Sequence, residues 1–303
     1  MDRIVLAGGS GFLGQALAEE LVRKGYEVVV LTRAPSPGSG PVRRVGWDGK
    51  SVGEWASLID GARAVVNLTG KSVNCRHTEE NREEIVSSRV DSVKAVGAAI
   101  ARCSRPPEVL VQAASLAIYG DAGDRICDET SPAGSGFTVE CCAQWELAWS
   151  EARSEKTRQV LLRIGIALGA NGGALEVLGN LTKWLLGGTV GSGDQYVSWL
   201  HLRDLNRIFL AAIEEPEMSG VFNATSPNPV TNREFMREMR RALHRPWSPP
   251  APSWAVRIGS FLMGTEASLA LTGRRCIPKR LQERGFRFEM PDLPGTLRDL
   301  FGD

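Results

Sequence analysis

A chain of 303 residues is long enough to bury a large core, as one α/β unit or as two unequal lobes. Lys and Arg total 36 against 35 Asp and Glu, so no overall field draws it to nucleic acid or an anionic membrane, and a small molecule is the expected partner. No run of about 18 uninterrupted apolar residues occurs, and the first residues enter a strand without a basic and apolar leader; the expected location is the cytoplasm.

Residues 3–7 form a short apolar run ending in glycine and residues 27–31 a second, rich in valine; both read as buried parallel strands. Between them Phe12, Leu13, Ala16, Leu17 and Leu21 recur at helical spacing, which completes a β-α-β unit. A Pro/Gly/Ser stretch at 35–41 predicts a loop. Residues 64–68 predict a strand and 79–102 a long helix with Val86, Val90, Val93 and Ile100 on one side. Residues 109–113 predict a strand, 140–153 a helix and 159–165 a strand. This alternation predicts an α/β doubly wound parallel sheet, a Rossmann fold.

Beyond Gly169 glycines break the chain into short segments. A helix is expected near 204–213, a strand at 221–224, a helix at 233–243, a proline-rich joint at 246–252 and a strand at 286–288. The expected division is a dinucleotide-binding domain from 1–168 plus 203–224, and a smaller C-terminal α+β lobe from 169–202 plus 225–303.

The strongest chemical signal is GGSGFLG, with Gly8, Gly11 and Gly14 between a strand and a helix, where backbone N–H groups and a helix N-terminus can hold a pyrophosphate. Its GxxGxxG spacing is weak alone, since glycines also serve ordinary turns, but the strand before and the amphipathic helix after supply the required context. The second strand ends in Thr32 and Arg33. An acidic residue there would accept from the ribose hydroxyls of NAD, whereas a guanidinium offers charge-assisted hydrogen bonds to the extra phosphate of NADP. NADP is therefore the expected cofactor.

The six cysteines, at 75, 103, 127, 141, 142 and 276, form no CxxC pair. Of the three histidines only His77, two residues after Cys75, lies near another ligand type; reduced thiols and no metal site are expected. Cys141 and Cys142 are better read as buried thiols than as nucleophiles, having no histidine close in sequence. His201, set among large apolar residues, reads as a structural link between lobes, with Asp204 capping the next helix. Trp184, Trp199 and Trp254 suit either a substrate pocket or core packing.

These motifs together resemble the atypical, extended short-chain dehydrogenases, and among them the NAD-dependent epimerase/dehydratase-like "epimerase family protein" subgroup with its C-terminal domain of unknown function. The resemblance covers nearly the whole chain. It rests on GGSGFLG, Val66-Asn67-Leu68-Thr69-Gly70, Ser87-Ser88-Arg89-Val90, Ala114-Ser115 through Tyr119-Gly120, Trp145-Glu146 and Arg163-Ile164-Gly165-Ile166-Ala167-Leu168-Gly169. Gly172-Gly173-Ala174, Gly191-Ser192-Gly193, Trp199-Leu200-His201-Leu202-Arg203-Asp204-Leu205 and Asn223-Ala224-Thr225 complete it. It implies a cofactor pocket formed by Gly8, Ser10, Gly11, Phe12, Leu13, Gly14, Thr32, Arg33, Leu68, Thr69, Gly70, Glu84, Arg89, Ala114, Ile166 and Ala167. On spacing alone Glu84 and Arg89 read more readily as an ordinary solvated helix surface.

Such enzymes usually move a proton with a Tyr whose pKa, about 10 when free, is lowered by a Lys four residues on. The only tyrosines are Tyr26, Tyr119 and Tyr196, followed at that distance by Val30, Gly123 and Leu200. Alignment puts Cys141 at the Tyr position and Trp145 at the Lys position. Ser115 and Tyr119 remain as a catalytic hydroxyl pair; the competing reading has Ser115 bonding a turn and Tyr119 packing. Two functions follow: an NADP-dependent oxidoreductase or epimerase of unknown substrate, or a cofactor-binding sensor without redox chemistry.

Overall fold

The computed structural model describes residues 1–35 and 40–302, so residues 36–39 of the expected 35–41 loop lie outside the described residues. Chain order begins β1 (Arg3–Ala7), α1 (Phe12–Arg23), β2 (Glu27–Thr32), β3 (Val42–Gly46), β4 (Ala64–Asn67), α2 (Glu79–Ala101) and β5 (Val109–Ser115). It continues with β6 (Ile126–Cys127), α3 (Phe137–Glu151), β7 (Arg158–Ile164), β8 (Ile166–Leu168), α4 (Gly173–Lys183), β9 (Tyr196–Val197) and β10 (Trp199–His201). Then follow α5 (Leu202–Glu214), β11 (Gly220–Ala224), β12 (Val230–Thr231), α6 (Asn232–Ala242), α7 (Ser253–Leu262) and α8 (Ser268–Leu271). The last elements are β13 (Arg275–Cys276), α9 (Lys279–Glu283) and α10 (Leu293–Phe301).

Among the described residues seven strands form one sheet, ordered β11-β7-β5-β4-β1-β2-β3, with every printed pairing parallel. The fold is thus the expected doubly wound Rossmann type, and its strand order reverses between β1 and β4. Alternation along the strands feeds two cores. Ile4, Leu6, Val28 and Val30 pack with Leu17 and Leu21 of α1 and with Leu205 and Phe209 of α5. Val5, Ala7, Val29 and Leu31 face the other way, against Trp47, Trp55 and Ala95, Val96 and Ile100 of α2. Burial on both faces explains why these strands read as continuous apolar runs.

Helix α2 starts where Thr78 caps it, its side chain accepting from Asn81 N, with Glu79 and Glu80 in the first turn to complement the dipole. A third core, with Leu175, Trp199, Phe235, Met236, Met239, Leu293 and Leu297, joins α4, α6 and α10 beyond the sheet. Trp199 is buried there and its indole N–H donates to Asn228 O at 3.1 Å, whereas Trp184 and Trp254 are exposed.

Two sequence expectations need correction. Residues 286–288 form no strand; Phe286 and Phe288 meet edge to face at 4.9 Å, and the Arg207 guanidinium lies 5.1 Å from the Phe286 ring. Alternating phenylalanines mimic strand periodicity while serving as side-chain anchors. Nor does Asp204 cap α5. His201 does so, its Nδ1 accepting from Arg203 N at 2.9 Å. Fully buried Asp204 instead accepts from the backbone N–H groups of Glu289 and Met290, at 2.8 and 2.9 Å, tying the C-terminal segment to the sheet domain.

Candidate cofactor and substrate site

The strand-order reversal opens a crevice at the carboxyl ends of β1 and β4, where an open α/β sheet binds its ligand. The turn after β1 is shaped for a backbone-lined cradle. Gly8 has φ +72°, and a Cβ there would lie 2.7 Å from Thr69 Oγ1. Gly14 lets α1 approach the turn, since its Cβ would stand 2.4 Å from Gly9 Cα. Gly11 differs: nothing lies within 4 Å of where its Cβ would be. It is also the N-cap of α1, with no side-chain cap and no acidic residue in the first turn, so no side chain of that turn competes with an anion for the leading amides of α1.

Neighbouring side chains fix this turn. Thr32 is buried and its hydroxyl donates to Ser10 Oγ at 3.2 Å, joining the end of β2 to the glycine loop. Leu13 packs into the first core. The Phe12 ring fills the space that Cβ atoms on Gly169, Gly172 and Gly173 would need, so these glycines let the loop after β8 settle on α1. Arg33 follows Thr32 directly and is exposed.

The loop after β4 is set by a buried polar chain that sequence reading did not single out. Asn67 Nδ2 donates to Ser92 Oγ at 3.2 Å and Gln112 Oε1 at 3.0 Å, all three residues being fully buried, while Asn67 Oδ1 accepts from Thr69 N. The polarity of Asn67 and Gln112 on strands that otherwise carry apolar residues was the available signal. Leu68 N donates to Ala7 O at 2.8 Å, and the buried Thr69 hydroxyl has no partner. Glu84 pairs with Lys71 on this loop, and Lys71 N donates to Ser88 Oγ.

Arg89 crosses from α2 beneath Gly70, whose Cβ would stand 3.1 Å from its guanidinium carbon. The guanidinium stacks 5.1 Å from the Trp145 ring centre and donates to Ile85 O. Burial holds its pKa below the ordinary arginine value, opposed by Cys141 and Cys142. The structure thus brings the Cys141 and Trp145 helix to the cofactor-edge loop through Arg89. Trp145 Nε1 is buried without an acceptor. Burial pushes the Cys142 thiol up to about 12 and raises that of Cys141, whose proximity to Arg89 opposes the rise.

At the end of β5, Ala114 is buried and Ser115 caps the following turn, its Oγ accepting from Ala117 N at 3.1 Å. The Ser115 hydroxyl proton is not used in that bond. Tyr119 sits in different surroundings: it is fully buried, its oxygen accepts from Arg163 Nη1 at 2.8 Å, and Asn223 Oδ1 and Asp128 O both lie at 2.8 Å. Burial pushes its pKa up to about 12, with Arg163 opposing. Arg163 in turn grips Glu146 with two bonds of 2.8 Å. Ile166, half exposed, and Ala167 lie on β8, where Ile166 N donates to Ser198 O. A groove of about 610 Å³ is lined by residues of both α2 and α3, Val86, Val90, Phe137 and Cys141 among them; no residue of the glycine turn borders it.

A Rossmann sheet with a glycine turn and a basic residue after β2 defines a protein of the dinucleotide-binding class. The chain belongs to the NAD dependent epimerase/dehydratase family, whose profile matches residues 4–224; residues 251–300 match a domain of unknown function, DUF1731. It is 33% identical over 300 residues to the "Epimerase family protein SDR39U1 homolog, chloroplastic" of Arabidopsis thaliana, covering 97% of this chain and 85% of that protein. It is also 33% identical to the "Epimerase family protein YfhF" of Bacillus subtilis, covering 99% and 98% of the two chains. Among solved structures, the human epimerase family protein SDR39U1 with NADPH superposes with a TM-score of 0.89 at 32% identity, covering 99% of both chains.

Proposed function

We propose that the protein binds NADP(H) across the β1–β4 crevice and acts as an oxidoreductase or epimerase on a small molecule held between the sheet domain (1–168 plus 203–224) and the C-terminal lobe (169–202 plus 225–303). The observation that carries this reading is the N-terminus of α1 at Gly11, uncapped by any side chain, with open space where a Cβ on Gly11 would stand. The buried, unpartnered Thr69 hydroxyl is a second fit, since a donor without an acceptor costs stability unless a ligand supplies one. The NADPH in the human SDR39U1 structure supports the choice of nucleotide.

Gly8, Ser10, Gly11, Phe12, Leu13 and Gly14 would enclose the pyrophosphate, Thr32 and Arg33 the phosphorylated ribose, and Leu68, Thr69, Gly70, Glu84, Arg89, Ala114, Ile166 and Ala167 the remainder. Bound there, the nicotinamide supplies a hydride donor or acceptor. Ser115 keeps a hydroxyl proton free to donate to a substrate oxygen, since its oxygen only accepts in the bond from Ala117 N. Tyr119 serves the scaffold in this reading: a phenol with a pKa near 12 and no exposure is a poor acid at neutral pH. Arg89 supplies the positive charge that Trp145, in place of lysine, does not.

Turnover is tested by loading the protein with NADPH and following absorbance decay against aldehydes, ketones and nucleotide sugars. Saturable oxidation, lost in Ser115→Ala while NADPH still binds, is the expected result. The sensor reading draws on the missing Tyr-x-x-x-Lys pair; it gains if NADPH binds normally and no substrate is turned over.

A further inference from the structure

Helix α7 reads SWAVRIGSFL, and none of its 10 residues is buried. Trp254, Ile258, Phe261 and Leu262 recur at spacings of three and four, which puts them on one side, and all four are more than half exposed. Met263 extends the strip. Next to the start of α7, Ala251 pairs with the loop after α4: its N donates to Thr189 O at 2.8 Å and Gly191 N donates to its O at 2.9 Å. Arg240 Nη1 holds the same loop through Gly187 O at 2.7 Å. That loop presents Trp184, 81% exposed, with Leu185 and Leu186, and Trp247, 65% exposed, stands on the intervening joint. The far end of α7 is tied down, since Arg76 donates to Phe261 O at 2.8 Å and stacks on its ring.

Exposed apolar surface of this extent marks an interface, and its charge indicates the partner. Residues 177–193 and 239–265, which build the surface, contain no Asp or Glu but do contain Lys183, Arg240, Arg241, Arg245 and Arg257. Arg241 is neutralised by Glu238; Lys183, Arg245 and Arg257 are exposed. Exposed tryptophans and leucines accompanied by the exposed cations Lys183, Arg245 and Arg257 match the headgroup boundary of an anionic bilayer. A second copy offering the same surface would set like charges against each other. Among the described residues no helix is long and apolar enough to cross a membrane, so the contact lies in the plane of the surface.

We propose that α7, the Trp184–Leu186 loop segment and Trp247 form a docking surface for an anionic bilayer, with the apolar strip of α7 lying in the headgroup boundary. The test is flotation of the full chain with phosphatidylcholine vesicles, with and without phosphatidylglycerol. Flotation with the anionic vesicles is expected, falling about fivefold for each of Arg245→Ala and Arg257→Ala. It is lost in the Trp184→Ser, Trp254→Ser, Leu262→Ser variant, whose melting temperature and NADPH stabilisation stay unchanged because the replaced side chains are exposed. If that triple variant fails to fold, the two arginine variants decide. Three results overturn the proposal: no flotation with anionic vesicles, equal flotation with neutral vesicles and with the arginine variants, or a dimer in sedimentation that the same substitutions disperse.

Discussion

Gly11 and Gly14 stand three residues apart in one turn and answer to different constraints. A methyl on Gly14 would enter the backbone at Gly9, so Gly14→Ala is expected to cost about 1–3 kcal/mol and lower the melting temperature without any ligand present. Gly11 has φ −82° and ψ −179°, which any residue adopts, and its methyl would enter open space. Gly11→Ala should therefore melt like the parent while its NADPH affinity drops roughly tenfold or more, because the backbone can no longer approach the phosphates. Thermal melts with and without NADPH separate the two; equal melting of both unliganded variants would refute the distinction. Tyr119→Phe strands Arg163 and Asn223 in a buried site, so a loss of about 1–3 kcal/mol is expected, with turnover per folded molecule retained. Selective loss of turnover at unchanged stability would restore Tyr119 to the chemistry. The glycine turn was legible because its geometry is local. The surroundings of Tyr119 were not, since Arg163 and Asn223 lie 44 and 104 residues away in sequence.

Strands and helices of the sheet domain fell within a few residues of expectation because burial on both faces leaves an unmistakable apolar run. Strand β3 escaped notice for the opposite reason. Val42–Gly46 is an edge strand whose consecutive Arg43 and Arg44 are both exposed, as edge strands commonly carry charge, and it lacks the apolar signal. Two-residue strands such as β6 and β13 exist only through pairing between distant segments and leave no period to read. Helix α5 shows how a cap can carry a titration. Because a backbone N–H can only donate, Nδ1 of His201 is the acceptor and Nε2 carries the proton toward Asp299, 3.0 Å away. Burial lowers the His201 pKa below its ordinary 6.5, with Asp299 opposing. The unfolded chain then binds the extra proton first, so this contribution is full above pH 6.5 and is lost as the pH falls below it. Melting curves should show that decline flattened in His201→Asn, which keeps a capping acceptor without the titration. An unchanged acid profile would assign the decline to other groups.

At the scale of the whole molecule, a formal net charge of +1 conceals an uneven distribution. Residues 239–265 and 177–193 are free of side-chain carboxylates, and folding brings them together through the Ala251 pairing, which composition cannot reveal. The two parts of the chain are also joined by polar anchors rather than by a shared apolar seam alone. Asp204 holds the backbone at 289–290, and Glu129 accepts from the N–H groups of both Asn223 and Arg280. Around this frame the central claim is a nucleotide cradle completed by Arg33. Isothermal titration of the purified protein with NADPH and NADH tests it most directly. NADPH is predicted to bind at least about tenfold more tightly, with the preference lost in Arg33→Ala, in keeping with about 1.5–3 kcal/mol for a charge-assisted bond to phosphate. Equal affinity for the two nucleotides, or no heat with either at millimolar concentration, would contradict it.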